Sequence, residues 1–420
     1  MKEAMRRREG RVPGKVYKYN PMTQCKCCGN SDLQMILDLN RQPLANNLIE
    51  EGHSYDSYEL AVNLCRKCFH TQLTIAVNQE ELFSHYLYVS GTSKTITEEF
   101  KRQSRYLCDY LRRISPNVTT NISVLDIASN DGTLLKHFKS LGCDVLGIDP
   151  ATNLCEIANR EGIKTINAFF GHPDTPCVEG EFDIITAFNV FAHIENPADF
   201  MKEIYGVLSS DGICAIQTSQ RDMFFHSQFD TIYHEHHHFY SIMSFYEVCK
   251  RNNFYLYDVR FPDIHGGSYL FVVGKDAKRD RGPEFVRKER SEGRYKLSLY
   301  NNFSDLVKEA KIQNLKKLEV LRRDGYKMIG FGAAAKGIVL LNYYDFKLDY
   351  VIDENPLKVG KIVPNINARV ISLKEGQNIL SKDEKLCFIV LPWNFAREIS
   401  TKINSSFSQE KEIICIFGSG

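Results

Sequence analysis

The chain has 420 residues, 43% hydrophobic and 25% charged, which is enough apolar material for two or three packed domains. Lys plus Arg total 53 against 52 for Asp plus Glu, so the chain lacks the basic footprint of a duplex nucleic-acid binder. No apolar run approaches the ~18 residues that a membrane-spanning helix needs, and no membrane partner is expected.

The N-terminal stretch MKEAMRRREGRVPGK is basic, but no apolar segment follows it. It therefore reads as a flexible tail, residues 1–20, rather than a secretory leader. Most of the 13 cysteines stand singly, as Cys143, Cys214 and Cys387 do. Scattered thiols fit a reducing compartment, so a cytoplasmic location is expected. Two tight pairs break the pattern: Cys25 with Cys28, and Cys65 with Cys68. Two C-x2-C knuckles aim four thiolates at one point, which suits tetrahedral zinc and leaves no open position for chemistry. Residues 21–78 are therefore expected to form a small module around a structural Zn2+, held by Cys25, Cys28, Cys65 and Cys68. Cys27 is an alternative ligand to a neighbour, and two disulfides or a redox pair are the competing readings.

Residues 79–283 read as a nucleotide-binding domain. Ile122–Asp131 (ISVLDIASND) is an apolar strand reaching an acid, then a small-residue turn and a helical pattern from Gly132. A second strand, Asp144–Ile148, ends at Asp149-Pro150, where an acid is placed to accept hydrogen bonds from ribose hydroxyls. A third, Phe182–Phe188, leads into Asn189–His193. Such βαβ units predict a parallel, doubly wound sheet. The loop after the first strand has Gly132 alone instead of G-x-G-x-x-G, which disfavours close approach by a pyrophosphate. S-adenosylmethionine needs no such cradle and is the expected ligand; a dinucleotide-dependent dehydrogenase is the alternative.

Between Gln217 and Ser241 the chain packs Tyr233, His234, Glu235, His236, His237, His238 and Tyr240 into one segment. Histidine is the side chain whose ordinary pKa suits a general base near neutrality, and Glu235 is a candidate to orient an imidazole. A metal site or a solvated loop are the other readings of this segment. Phe254–Arg260 and Gly267–Gly274 predict an antiparallel pair around His265-Gly266-Gly267-Ser268. Residues 284–420 begin with charged helices over Glu284–Arg323, whose apolar series is Leu306, Ile312, Leu315 and Leu318. Then come strands at Tyr326–Phe331, Leu348–Asp353 and Leu386–Leu391, a second parallel α/β unit. Its first loop, Gly332-Ala-Ala-Ala-Lys336-Gly337, is small enough either to meet a phosphate or simply to pack closely.

With these motifs in order, the chain resembles the zinc-containing sugar C-methyltransferases, which use S-adenosylmethionine to methylate C-3 of nucleotide-linked 4-keto deoxysugars. The resemblance runs from about Pro21 onwards. It rests on the cysteine pairs, Tyr86-Leu-Tyr88-Val-Ser90-Gly-Thr-Ser93, Ile127-Ala-Ser-Asn130-Asp131-Gly132 and Asn189-Val-Phe-Ala-His193. Tyr233-His-Glu-His236, His265-Gly-Gly-Ser268, the Gly330–Gly337 loop, Asp353-Glu-Asn-Pro356 and Leu391-Pro-Trp-Asn394 add to it. It implies an α/β protein of three parts: a zinc module, a class I Rossmann-like methyltransferase domain, and a C-terminal Rossmann-like domain that helps hold the sugar nucleotide. It implies a catalytic cluster of Tyr88, His193, Tyr233, Glu235 and His236. Asp126, Ala128, Asn130, Asp131, Asp149, Pro150 and Asn189 are expected at the donor. Tyr86, Ser90, His265, Gly267, Ser268, Gly332, Lys336, Asp353, Trp393 and Asn394 are expected at the sugar nucleotide. A monomer or weak dimer is expected. The rival activities are an NAD(P)-dependent sugar-nucleotide oxidoreductase or epimerase, a sugar O- or N-methyltransferase on the same fold, and a non-catalytic zinc scaffold.

Overall fold

In a computed structural model of the chain, the described residues are 18–78, 81–82, 91, 94–116, 118, 121–171, 178, 180–219 and 221–417. Tyr86, Tyr88, Ser90 and most of the N-terminal tail lie outside them. No helix among the described residues is long and apolar enough to cross a membrane.

The N-terminal module holds strands β1 (Tyr19–Pro21), β2 (Leu33–Pro43), β3 (Ser57–Cys65), β4 (Thr71–Leu73) and β5 (Ile75–Val77). β1 pairs antiparallel with β5, so the module's first strand begins at Tyr19, inside the segment expected to be tail. β2, β3 and β4 form an antiparallel sheet whose fourth strand comes from far along the chain. That strand is β11 (His238–Phe239), with His238 opposite Gln72 and Phe239 opposite Thr71. The histidine-rich segment is thus part of the zinc module's sheet as well as the middle of the chain.

The central domain opens with α1 (Lys94–Ile114), which buries Ile96, Phe100, Gln103, Leu107 and Leu111 at helical spacing. Then follow β6 (Ser123–Ile127), α2 (Thr133–Ser140), β7 (Asp144–Asp149), α3 (Thr152–Arg160), β8 (Thr165–Asn167), β9 (Phe182–Phe188), α4 (Pro197–Val207) and β10 (Leu208–Ser219). After β11 come α5 (Ile242–Arg251), β12 (Tyr255–Arg260) and β13 (Ser268–Gly274). Ser241 and Ser244 form a reciprocal capping box at the start of α5. The seven-stranded sheet has the order β12-β13-β10-β9-β6-β7-β8. β13 runs antiparallel to β12, as the alternating pattern around His265 predicted, and antiparallel to β10 as well. Strands β6, β7, β8, β9 and β10 are parallel, so their C-terminal ends open on one edge. Ligands of open α/β sheets bind at that edge.

Next, α6 (Gly282–Ser291) and α7 (Leu297–Arg323) lead to the last domain. Here the structure corrects the expected helix face. Leu306 is 44% exposed and Ile312 68%, while α7 buries Tyr300, Phe303, Val307 and Leu318. Tyr300, Phe303 and Val307 share one face, and aromatic rings remove more apolar surface from water than the leucine series would. The C-terminal sheet is all parallel, in the order β16-β15-β14-β17-β18. Its parts are β14 (Tyr326–Phe331), α8 (Ala335–Tyr344), β15 (Tyr350–Ile352), β16 (Arg369–Ile371), α9 (Leu373–Ile379), β17 (Lys385–Val390), α10 (Ala396–Ser406) and β18 (Lys411–Cys415).

The parts are not beads on a string. One apolar core joins Leu39 and Leu60 of the zinc module to Phe229, Ile232 and Phe239, and onward to Val339 and Leu341 of α8. A second packs the zinc cysteines against Phe191, Tyr240 and Phe245. Fully buried Phe229 lies 5.1 Å from Tyr343 and 5.4 Å from Phe417, ring centre to ring centre. Burying such a ring stabilises by about 1.5–3 kcal/mol.

Candidate active site and zinc centre

Cys25 and Cys28, with Cys65 and Cys68, gather their four sulfurs within 4.8 Å of one another. The cross-pair separations are 3.5 Å for Cys25–Cys68 and 3.6 Å for Cys28–Cys65. A tetrahedron with Zn–S bonds of ~2.3 Å has edges of about 3.8 Å, so the donors fit zinc in type, number and spacing. Each knuckle closes with a backbone bond to its first cysteine's carbonyl, from Gly29 and from Phe69 at 2.8 and 2.9 Å. Both closing residues have positive φ, 75° and 54°. Cys27 is buried but stands outside the four-sulfur set, and among the described residues no other His, Cys, Asp or Glu group gathers so closely. The neighbouring histidines therefore do not form a second metal site in this arrangement.

The loop after β6 is strained: Ala128, Asn130 and Gly132 have φ of 60°, 52° and 76°. Asp149, at the end of β7, holds it. One carboxylate oxygen accepts the Asn130 N–H at 2.9 Å, and the other accepts the Ala151 N–H at 2.8 Å. Each oxygen keeps a second lone-pair direction for ribose hydroxyls. Burial raises the Asp149 carboxyl above its ordinary value, against the pull of those N–H groups. Asp126 is deeper still; burial pushes it up to about 7, against a 2.6 Å hydrogen bond from Thr186. Asp131 accepts the N–H of Thr133 at 3.2 Å, its hydroxyl at 2.7 Å, and the Gly91 N–H at 3.0 Å. A β-carbon on Gly91 would lie 2.4 Å from that carboxylate, so the approach requires glycine. The Asp131 carboxylate accepts the first N–H of α2 and so takes the place an anion would need at the helix N-terminus, which suits a cationic donor. Pro150 follows Asp149 directly. The residues present fit S-adenosylmethionine.

Asn189 (φ 57°) follows β9 and takes the Gln217 carbonyl on its N–H at 2.9 Å. Its amide nitrogen is 3.4 Å from His265 Nε2. Four residues on, His193 meets His236 edge to face with ring centres 5.0 Å apart. The chain turns tightly at Tyr233–His236, closed by the His236 N–H on the Tyr233 carbonyl at 2.8 Å, before it enters β11, and its residues find different neighbours in turn. His234 lies against Tyr58, Glu235 accepts the Asn46 amide at 2.6 Å, and His238 Nδ1 is 3.0 Å from His70 Nε2. His236 itself is 2.8 Å through Nδ1 from the Thr231 carbonyl and 2.8 Å through Nε2 from the Tyr233 hydroxyl. A carbonyl oxygen only accepts, so Nδ1 carries the proton and Nε2 is the basic nitrogen. Burial holds His236 well below its ordinary pKa and His193 at about 4, so both are neutral. Burial also lifts Glu235 to about 7.

His265 (φ 56°) and Gly267 (φ 98°) begin the turn into β13, and the Ser268 hydroxyl donates to the Ile264 carbonyl at 3.0 Å. From the last domain, Lys336 donates to the His265 carbonyl at 3.1 Å and lies 4.6 Å from the centre of the Trp393 ring. Gly332 has φ 85°, and a β-carbon there would strike Pro392 at 2.7 Å. Asp353 repeats the Asp149 arrangement: it accepts the Ala333 N–H at 2.7 Å and the Asn355 N–H at 2.8 Å. Asn394 lines a cleft with Thr95, Phe395 and Arg397, between α1 and the start of α10. The structure thus gathers His193, Tyr233, His236, Asn189 and His265 at one sheet edge, and joins the last domain to it through Lys336 and Trp393. Sequence reasoning passed over Thr231, which holds His236, and Asn46, Thr186 and His70, which bond Glu235, Asp126 and His238. Thr231 and His70 sit beside quoted motifs; Asn46 carried no signal.

A three-part α/β chain with a four-thiolate centre, and a donor loop at the strand ends of its middle sheet, defines a zinc-binding methyltransferase. Family comparisons agree: residues 25–83 match a zinc binding domain, 100–259 a methyltransferase domain, and 263–417 the C-methyltransferase C-terminal domain. Domain by domain the chain thus matches the zinc-containing C-methyltransferases, and it is an S-adenosylmethionine-dependent C-methyltransferase. It is 28% identical over 393 residues to the C-methyltransferase NovU of Streptomyces niveus, covering 90% of this chain and 91% of NovU. It is 27% identical over 239 residues to the mitochondrial ubiquinone biosynthesis O-methyltransferase of Saccharomyces cerevisiae, covering 51% of this chain and 73% of that one. Among solved structures, the plantazolicin methyltransferase BpumL in complex with a pentazolic desmethylPZN analog and SAH is 16% identical with a TM-score of 0.36, covering 44% of this chain and 87% of BpumL.

Proposed function

We propose that the chain adds a methyl group to C-3 of a nucleotide-linked 4-keto deoxysugar, in the cytoplasm and in deoxysugar biosynthesis. The observation that carries this reading is His236: a buried neutral imidazole, with its proton fixed on Nδ1 by Thr231 and its lone pair directed through Nε2 beside a tyrosine hydroxyl. Carbon becomes nucleophilic only after losing a proton next to a carbonyl, and a 4-keto group acidifies the C-3 proton in this way. The match of residues 263–417 to the C-methyltransferase C-terminal domain supports carbon rather than oxygen or nitrogen as the acceptor.

Asp149, Asn130, Asp126 and Asn189 would hold S-adenosylmethionine, with Ala128, Asp131 and Pro150 shaping the loop. Bound there, it would supply a methyl carried on a sulfonium, to which a carbanionic carbon bonds as the C–S bond breaks and the neutral thioether leaves. The chain's own part is proton transfer and orientation. One tyrosine hydroxyl cannot donate at once to Nε2 and to a ketone. When the ketone arrives, Tyr233 turns its O–H to that oxygen, and the His236 lone pair is freed for the C-3 proton. His193, neutral and edge-on to His236, is the further donor to the enolate oxygen, and Glu235 and Tyr88 complete the proposed cluster. His265, Gly267, Ser268, Gly332, Lys336, Asp353, Trp393 and Asn394, with Tyr86 and Ser90, are proposed around the sugar nucleotide. A well-placed base contributes about 10²–10⁴-fold. The test is solvent deuterium exchange at C-3 across a panel of nucleotide-linked 4-keto sugars, with and without S-adenosylmethionine. Exchange without donor and gain of one methyl with it are expected. Absence of both across the panel rejects the substrate class, and exchange undiminished in His236→Ala rejects the base.

A further inference from the structure

Asp230 takes no part in that reading, yet it stands one residue before the carbonyl that sets the His236 tautomer. It is fully buried on a single helical turn, Phe229–Thr231. One of its oxygens accepts the Trp393 indole N–H at 2.7 Å. The other has no hydrogen-bond partner among the described residues. A buried carboxylate left half-unsatisfied is costly and asks for an explanation. Its surroundings come from the last domain. Trp393 follows β17, and the ammonium of Lys336, from the first turn of α8, offsets the Asp230 charge while it lies over the indole. Phe229, next in the chain, is clamped by Tyr343 and Phe417 of the same domain. The indole reaches Asp230 because residue 266 is glycine: a β-carbon there would come within 2.5 Å of the Trp393 ring.

We propose that Asp230 and Trp393 are positioning residues: the indole N–H fixes Asp230, and through it the Thr231 carbonyl, so that His236 keeps its proton on Nδ1 and its lone pair on Nε2. The last domain thereby governs the base from outside the methyl-donor domain. This rests on His236 being the base, but the tautomer can be read without any substrate.

Trp393 is the single tryptophan of the chain. Biosynthetic replacement by 3-benzothienylalanine therefore changes one position alone, keeping the ring shape and removing the N–H. Full-length zinc-loaded protein labelled with ¹⁵N-histidine is compared with the parent by ring-nitrogen NMR, His236→Gln identifying the signal. The replacement is expected to lower the Nδ1–H share of His236 and to reduce kcat about tenfold with KM little changed. Asp230→Asn, which keeps an acceptor for the indole, is expected to retain the parental tautomer. An unchanged His236 spectrum in the benzothienyl protein overturns the proposal, whatever the substrate. Failure of the parent to turn over any 4-keto sugar with the spectral change present overturns the functional reading alone.

Discussion

Glu235→Gln separates electrostatic burden from catalytic use at one buried group. The Glu235 carboxyl is 4% exposed, and burial lifts it from an ordinary 4.5 to about 7, against the opposing pull of the Asn46 amide at 2.6 Å. An acid that holds its proton more tightly when folded favours the native state fully below pH 4.5. That contribution fades as pH rises to 7, where the native group also ionises. Each pKa unit is 1.36 kcal/mol, so the charge costs the fold about 3 kcal/mol at pH 8. Glutamine keeps the shape and still accepts the Asn46 N–H, without the charge. The variant should therefore be more stable than the parent by up to about 3 kcal/mol at pH 8, the gap closing to about zero near pH 4.5. The buried histidines titrate in the opposite sense, being held neutral below their ordinary pKa, but they are common to both proteins and cancel in the difference. Urea unfolding of both proteins at half-unit pH steps, with zinc saturating, gives the difference directly. If Glu235 serves the reaction, kcat falls in this same, more stable variant, which removes unfolding as the cause. A stability gap that does not vary with pH, or a parent that is the more stable at pH 8, refutes the burial argument.

Cys65→Ser should lose zinc and activity together, because the knuckle ends β3 and sets β4, on which β11 with His238 is paired; metal analysis beside far-UV circular dichroism measures it, and full zinc with full turnover would refute it. Asp149→Asn presents an amide to a backbone N–H and loses ribose acceptors, so binding of S-adenosylhomocysteine should weaken about 10–100-fold by calorimetry. Unchanged affinity would move the donor elsewhere. Gly332→Ala forces a β-carbon to φ 85° and within 2.7 Å of Pro392, and should destabilise by about 1–3 kcal/mol in calorimetric unfolding, close to the Trp393 loop. An unshifted melting temperature would mean that Pro392 gives way.

What could be read in advance divides by range. Four cysteines in two short pairs announce a metal because the knuckle is local, and the acid ending β7 announces a nucleotide edge for the same reason. Period alone mis-set the face of α7, where Tyr300 and Phe303 outcompete Leu306 and Ile312 for the core. Strand β11 could not be seen at all: two residues have no period, and their partners lie 166 and 168 positions earlier. The histidine segment shows the limit most clearly. Its composition announces proton chemistry, and a tight turn at Tyr233–His236 leading into β11 explains why His234, Glu235, His236 and His238 meet different neighbours. Which nitrogen of His236 is basic follows from a backbone carbonyl at residue 231, a group every residue carries and no motif records. That carbonyl is placed in turn by Phe229 and Asp230, whose partners Tyr343 and Trp393 are more than a hundred residues away. Residue type was local information; protonation and direction are properties of three domains packed on one core.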